Sequence, residues 1–265
     1  MPTLSSPIVS VDWLTTRIGD PALVVVDVRA HDAYRVGHIP GAIHADLSVL
    51  RLSSSAPEVI AAWAERLQAV VDALGFGPER TVVFYEDISG TMAAYGVWLL
   101  DAAGFGNGAV LDGDLSHWRQ SRHQLDIGNV PPRPTSAAIA PNISVIATAE
   151  GILDSLNGSD EAVNLVDSRA AHEFAMGSIP GAVNVEWSRH LNADGAFKPL
   201  DDLEAIYAAT GLDKSEPVAS YCAAGFRAAN TYVVLKALGY DAARNYAPSW
   251  GEWGTRPDTP VERHR

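Results

Sequence analysis

Residues 27–43 read DVRAHDAYRVGHIPGAI and residues 167–183 read DSRAAHEFAMGSIPGAV, an offset of 167 − 27 = 140. Asp27, Arg29 and the Ile39-Pro40-Gly41-Ala42 turn recur as Asp167, Arg169 and Ile179-Pro180-Gly181-Ala182. Two further pairs follow. VVFYEDISGTMAAY (82–95) faces VASYCAAGFRAANT (218–231), and Gly104-Phe105 with Trp118 face Gly239-Tyr240 with Trp253. A pattern that returns once within 265 residues is a duplicated folding unit, and each half is long enough to bury its own core.

Both copies share one local grammar. A short β-branched run, Leu23 to Val26 or Ala162 to Val166, ends in Asp and reads as a strand buried on both faces. The Ile-Pro-Gly turn punctuates the chain after it. Helical stretches cover Pro57 to Leu74 and Leu200 to Thr210. Second strands cover Thr81 to Tyr85 and Pro217 to Tyr221, followed by helices around Thr91 to Ala103 and Ala228 to Leu238. Alternating strands and helices predict an α/β fold: two tandem domains, each an open, mostly parallel sheet with helices on both faces. The expected domains are 1–124 and 143–265. Residues 125–142, with four prolines between Asn129 and Pro141, form a linker.

Charge and composition narrow the function. Lys and Arg number 19 against 32 Asp and Glu, so the net charge is 19 − 32 = −13. That balance argues against nucleic-acid or anionic-membrane partners. Apolar content of 47% marks a globular chain, yet no stretch is long enough to span a bilayer. The first residues lack a basic start and an apolar core, so a cytoplasmic location is expected. Cys222 is the single cysteine, which excludes an intramolecular disulfide and multi-cysteine zinc sites.

The copies differ chemically at one loop. In the second, Cys222-Ala-Ala-Gly-Phe-Arg227 leaves a strand and enters a helix; in the first, Glu86 takes the cysteine's place. Loops at the carboxyl edge of a parallel sheet form ligand crevices. Ala223, Ala224 and Gly225 let backbone amides curl around the sulfur, and the following helix adds its positive end. Both favour a thiolate, and Arg227 adds charge. A lone cysteine is most often a small buried hydrophobe. The strand end, the small-residue loop, and Gly and Arg at fixed offsets favour a reactive one here. The first copy, with carboxylates at this loop, is expected to be catalytically silent.

These residues resemble the rhodanese family of sulfurtransferases, in its tandem form with two rhodanese-like domains. DxR…GHIPGA and YCAAGFRA carry the resemblance, which spans nearly the whole chain. It implies that Cys222 is the catalytic residue. The cysteine would take a sulfane sulfur from a small anionic donor such as thiosulfate, forming a persulfide. It would then pass the sulfur to cyanide or another thiophilic acceptor, a double displacement with ping-pong kinetics. Ala223, Ala224, Gly225, Phe226, Arg227 and Arg169 are the implied substrate-binding residues, with a buried ion pair the competing role for Arg169. No metal or organic cofactor is implied. Ala223 stands where thiosulfate-using members often carry a basic residue, and Glu173 stands four after Arg169, where well-studied members carry another. Phe226-Arg227 looks like bacterial thiosulfate-type loops. Thiosulfate is therefore the expected donor, with 3-mercaptopyruvate the alternative.

Two other readings use the same loop. Cysteine phosphatases and arsenate reductases share the cradle logic, but they place one residue more between cysteine and arginine, leaving room for a phosphoryl group. A non-catalytic rhodanese-like scaffold fits the first copy better than the second. Minor signals read as structural. The histidines show no metal spacing, His38 and His44 are expected to hydrogen-bond loops, and Gly104, Gly106 and Gly108 follow a helix rather than a strand. Trp118, Trp250 and Trp253 are expected to pack as core under the active loop's edge or along the domain seam, while Trp187 and Phe226 fit core or donor pocket equally. With a pseudo-dimer already built into the chain, a monomer is expected.

Overall fold

A computed structural model of the chain describes residues 4–87, 90–159 and 161–264. They form two compact units. The first comprises residues 1–50, 63–142 and 191–197, and the second residues 51–62, 143–190 and 198–265.

The first unit holds a five-stranded sheet: β1 (Ile8–Val9), β2 (Leu23–Asp27), β3 (Ile43–His44), β4 (Thr81–Tyr85) and β5 (Gly108–Leu111), in the order β1-β5-β4-β2-β3. The second holds β6 (Asn164–Asp167), β7 (Val183–Asn184), β8 (Val218–Tyr221) and β9 (Ala243–Asn245), in the order β7-β6-β8-β9. Every pairing between these strands is parallel, and helices flank both sheets. The central strands β4 and β8 are almost wholly buried, which explains the apolar run Val82–Tyr85; in β8 the buried Ser220 hydroxyl donates to the Ala228 carbonyl at 2.9 Å. The helix Thr91–Ala102 lies so close on β4 that a Cβ at Gly96 would come 2.6 Å from the Phe84 ring. No helix among the described residues is long and apolar enough to cross a membrane.

The repeated DxR motif has a structural explanation. Arg29 Nε bonds both oxygens of Asp27 at 2.9 and 3.0 Å, and its Nη2 donates to the Gly37 carbonyl. Arg169 repeats this with Asp167 at 3.0 and 3.1 Å, and with the Gly177 carbonyl. Tyr85 and Tyr221 then accept the amide hydrogens of Ile39 and Ile179. The arginine thus ties a strand's end to the Ile-Pro-Gly turn, and a buried charge is matched by a buried charge.

The helix over Pro57–Leu74 lies where apolar periodicity predicts it. In the second unit the helix after β8 opens at Phe226, two residues before the expected Ala228, because Gly225 caps it in a left-handed conformation with φ 90°. Trp118 and Trp253 are core residues. Trp250 is half-buried, packed against the second unit's core under the Cys222 loop, with its ring over the Arg169 guanidinium at 4.3 Å.

Candidate active site

Strand β8 delivers Cys222 to the sheet's edge, where the residue is 2% exposed and forms the floor of its loop. Ala223 is exposed, while Ala224, Phe226 and Arg227 are half-buried around it. The Gly225 amide donates to Cys222 Sγ at 3.2 Å. A side chain at Gly225 is doubly barred, since φ is 90° and a Cβ would stand 2.5 Å from the Ala247 carbonyl oxygen. The helix Phe226–Ala237 starts at this glycine and presents its positive end to the sulfur.

The loop's carbonyls are held on its other side. Trp250 N donates to the Cys222 carbonyl and Gly251 N to that of Ala223, each at 3.0 Å. With those carbonyls engaged, the amides of Ala223 and Ala224 meet no acceptor among the described residues. Ser249, itself at φ 58°, accepts the Cys222 amide hydrogen at 3.0 Å and lies 3.9 Å from Sγ. Sequence reasoning missed Ser249. The signal was present in the repeat, where Asp114 is its counterpart (249 − 114 = 135).

The two arginines expected at the site are both matched by carboxylates. Arg227 makes a forked pair with Glu173, at 2.7 and 3.0 Å. The bond holds Glu173 down at about 2, well below the usual carboxylate range, and Arg227 is raised by Glu173 first and by neighbouring Cys222 as well. Arg169 is buried in its pair with Asp167 and under Trp250. The structure therefore gathers Cys222, Ala223, Ala224, Gly225, Phe226 and Arg227 in one loop, with Arg169 tied to Asp167 and Trp250.

The first unit shows what becomes of the cradle when a carboxylate replaces the thiol. Glu86 Oε1 accepts the Met92 amide hydrogen at 2.8 Å, so the side chain fills the N-terminus of its own helix. Asp114 accepts the amide hydrogens of Glu86 and Gly90 at 3.0 and 3.1 Å. Burial, then the Glu86 charge, pushes Asp114 up to about 8. Ile88 and Ser89 of this loop lie outside the described residues. Among the described residues, no group of three or more His, Cys, Asp and Glu is placed to hold a metal ion.

Fold and loop together define a two-domain rhodanese-like protein: the rhodanese-like domain family matches residues 10–121 and 149–256. A thiosulfate sulfurtransferase from Pseudomonas aeruginosa is 35% identical, with 94% of each chain covered. One from Azotobacter vinelandii is 32% identical over the same shares. A solved structure of SseA from Escherichia coli, described as a 3-mercaptopyruvate sulfotransferase, is 25% identical. It has a TM-score of 0.79 and covers 93% of this chain and 99% of that one. An anaerobic ergothioneine biosynthesis enzyme from Chlorobium limicola, 22% identical with a TM-score of 0.84, shares the fold over 98% of this chain and 70% of its own. The chain belongs to the rhodanese family, and it is an enzyme of the sulfurtransferase class.

Proposed function

We propose that this chain is a thiosulfate sulfurtransferase with Cys222 as its nucleophile. The observation that carries the proposal is the cysteine's seat. Its sulfur lies 3.2 Å from the Gly225 amide, at the start of a long helix and beside Arg227. The Cys222 thiolate attacks the sulfane sulfur of thiosulfate. The S–S bond of the donor breaks, and sulfite leaves with the bonding electrons. The persulfide then carries its negative charge on the terminal sulfur, facing the amides of Ala223, Ala224 and Gly225. Cyanide or another thiophile attacks that terminal sulfur, the Cys–S bond to it breaks, and the thiolate returns.

Phe226 and Arg227 form the loop's far wall, and Arg169 supports the rim through Asp167 and Trp250. The exposure of only 2% at Cys222 favours small donors. A single monomeric polypeptide in a reducing cytoplasm completes the proposal, with Glu86 leaving the first domain silent. The alternative donor is 3-mercaptopyruvate, favoured by the neutral Ala223-Ala224-Gly225 run and by the likeness to SseA. Against it stands Glu173, which occupies the position four after Arg169 where a basic residue would receive a donor's carboxylate and which is itself paired with Arg227. Cyanide-coupled turnover with each donor tests the choice. Higher kcat/KM with thiosulfate, lost in Cys222→Ser, supports the proposal; preference for mercaptopyruvate transfers it to the alternative.

A further inference from the structure

The charge balance at the loop leaves a gap. An anionic donor approaching a chain of net charge −13 needs local positive charge, yet Arg169 and Arg227 are each neutralised by a carboxylate. A third arginine stands at the same rim. Arg51 lies far from Cys222 in sequence but belongs to the second unit. Its Nη2 is 3.8 Å from the point where a Cβ of Gly251 would sit, and the Ala223 carbonyl oxygen is 3.1 Å from that same point. Arg51 is exposed, and its guanidinium has no hydrogen-bond or ion-pair partner among the described residues.

The segment that carries Arg51 is anchored at Ser54 and Ser55. Glu252, 8% exposed, accepts from Ser54 Oγ at 2.7 Å and from the Ser55 amide at 2.8 Å with one oxygen. Its other oxygen accepts from Ser55 Oγ and Tyr246 Oη, each at 2.8 Å. Glu252 shares the helix Ser249–Trp253 with Trp250 and Gly251, which bind the loop's carbonyls. One short helix thus fixes both the Cys222 loop and the segment that carries Arg51. Gly251 keeps the space between them open.

We propose that Arg51 is the donor-binding cation of this site, receiving the anionic sulfonate end of thiosulfate at the mouth of the Cys222 loop. The inference rests on the thiosulfate proposal above and adds to it the residue that confers affinity for the donor. Arg51 acts on binding and touches neither the attacking sulfur nor the bond that breaks. The expected signature is therefore a change in donor KM with kcat preserved.

The test measures thiosulfate turnover and Cys222 persulfidation in the full chain, in Arg51→Ala and in Arg51→Lys. Loss of one charge-assisted contact is expected to raise donor KM roughly ten-fold in Arg51→Ala, with Arg51→Lys recovering much of the loss. Cyanide dependence should not move. A donor KM unchanged in Arg51→Ala overturns the proposal, as does a loss confined to kcat. A parallel arm uses sulfate as the probe and follows its protection of Cys222 against alkylation by iodoacetamide. Should the wild type take no sulfur from thiosulfate, the donor assignment falls and this arm decides Arg51 by itself. Protection lost in Arg51→Ala upholds the anion site; equal protection in both, or none in the wild type, overturns it.

Discussion

Ser249 accepts the amide hydrogen of Cys222 at 3.0 Å, and Asp114 accepts that of Glu86 at the same distance. Both acceptors are non-glycine residues in the left-handed region, at φ 58° and 54°. Duplication has kept the backbone device and changed the chemistry at two positions. A thiol beside a neutral hydroxyl suits an anionic intermediate. A glutamate beside a buried aspartate repels one. Ser249→Ala removes the acceptor of the Cys222 amide and is expected to cost about 1 kcal/mol of stability. Sulfur transfer should fall roughly ten-fold by the same misplacement of the loop. Ser249→Asp, which copies the first unit's carboxyl group, should lose more than Ser249→Ala when turnover is compared above about pH 8, where that group is ionised; equal activity in the two would contradict an electrostatic role.

Asp114 gives the first unit a pH dependence. Its folded value of about 8 lies above the ordinary 3.8, so its contribution to stability is complete below 3.8. It erodes as pH rises and is gone above about 8. Glu86→Gln removes the second cause of the shift and should pull the upper edge of that window down. Thermal melting from about pH 5 to 9 reads this as a shallower decline for the variant than for the wild type.

Glu173 works in the opposite direction. Held at about 2, it supports its pair above the ordinary 4.5 and loses that support only as pH falls toward 2, so the pair is intact throughout the neutral range. Glu173→Gln should release Arg227's charge toward the sulfur. A fall in thiosulfate KM of about three- to five-fold is expected, the size of a partly exposed ion pair. A rise in KM would show that Glu173 serves to position Arg227 instead.

Gly225→Ala places a methyl group 2.5 Å from the Ala247 carbonyl in a backbone region hostile to side chains. A stability loss of roughly 1–3 kcal/mol, seen by urea unfolding, should accompany at least a ten-fold loss of turnover.

Glu86→Ala removes the carboxylate that caps the helix Thr91–Ala102. Turnover should stay within about two-fold of wild type while the first unit loses about 1 kcal/mol, a typical capping contribution. Near-total loss of sulfur transfer would show that the first domain takes part in the chemistry.

Much of this architecture is legible in the sequence because it rests on local signals. Two copies of Asp-x-Arg and of Ile-Pro-Gly-Ala mark strand ends and turns, and the apolar run Val82–Tyr85 of β4 marks a sheet centre. Cys222 stands out because the repeat supplies Glu86 as its contrast. The two-residue strands β1, β3 and β7 are too short for periodicity to register, and glycine at the start of β5 hides it. Ser249 and Arg51 escape for a different reason. Their neighbours lie on segments distant along the chain, Cys222 for Ser249 and the Gly251 turn of helix for Arg51, and no spacing rule connects those numbers. The pairing of Arg227 with Glu173 is likewise tertiary, and it turns an expected free cation into a neutralised one.

The central claim is that Cys222 accepts one sulfur atom from thiosulfate. Intact mass spectrometry of the protein incubated with thiosulfate alone, with no acceptor present, measures it directly. The wild type should gain the mass of one sulfur atom, cyanide should then remove it, and Cys222→Ser should gain nothing. No gain in the wild type, or the same gain in Cys222→Ser, would contradict the claim.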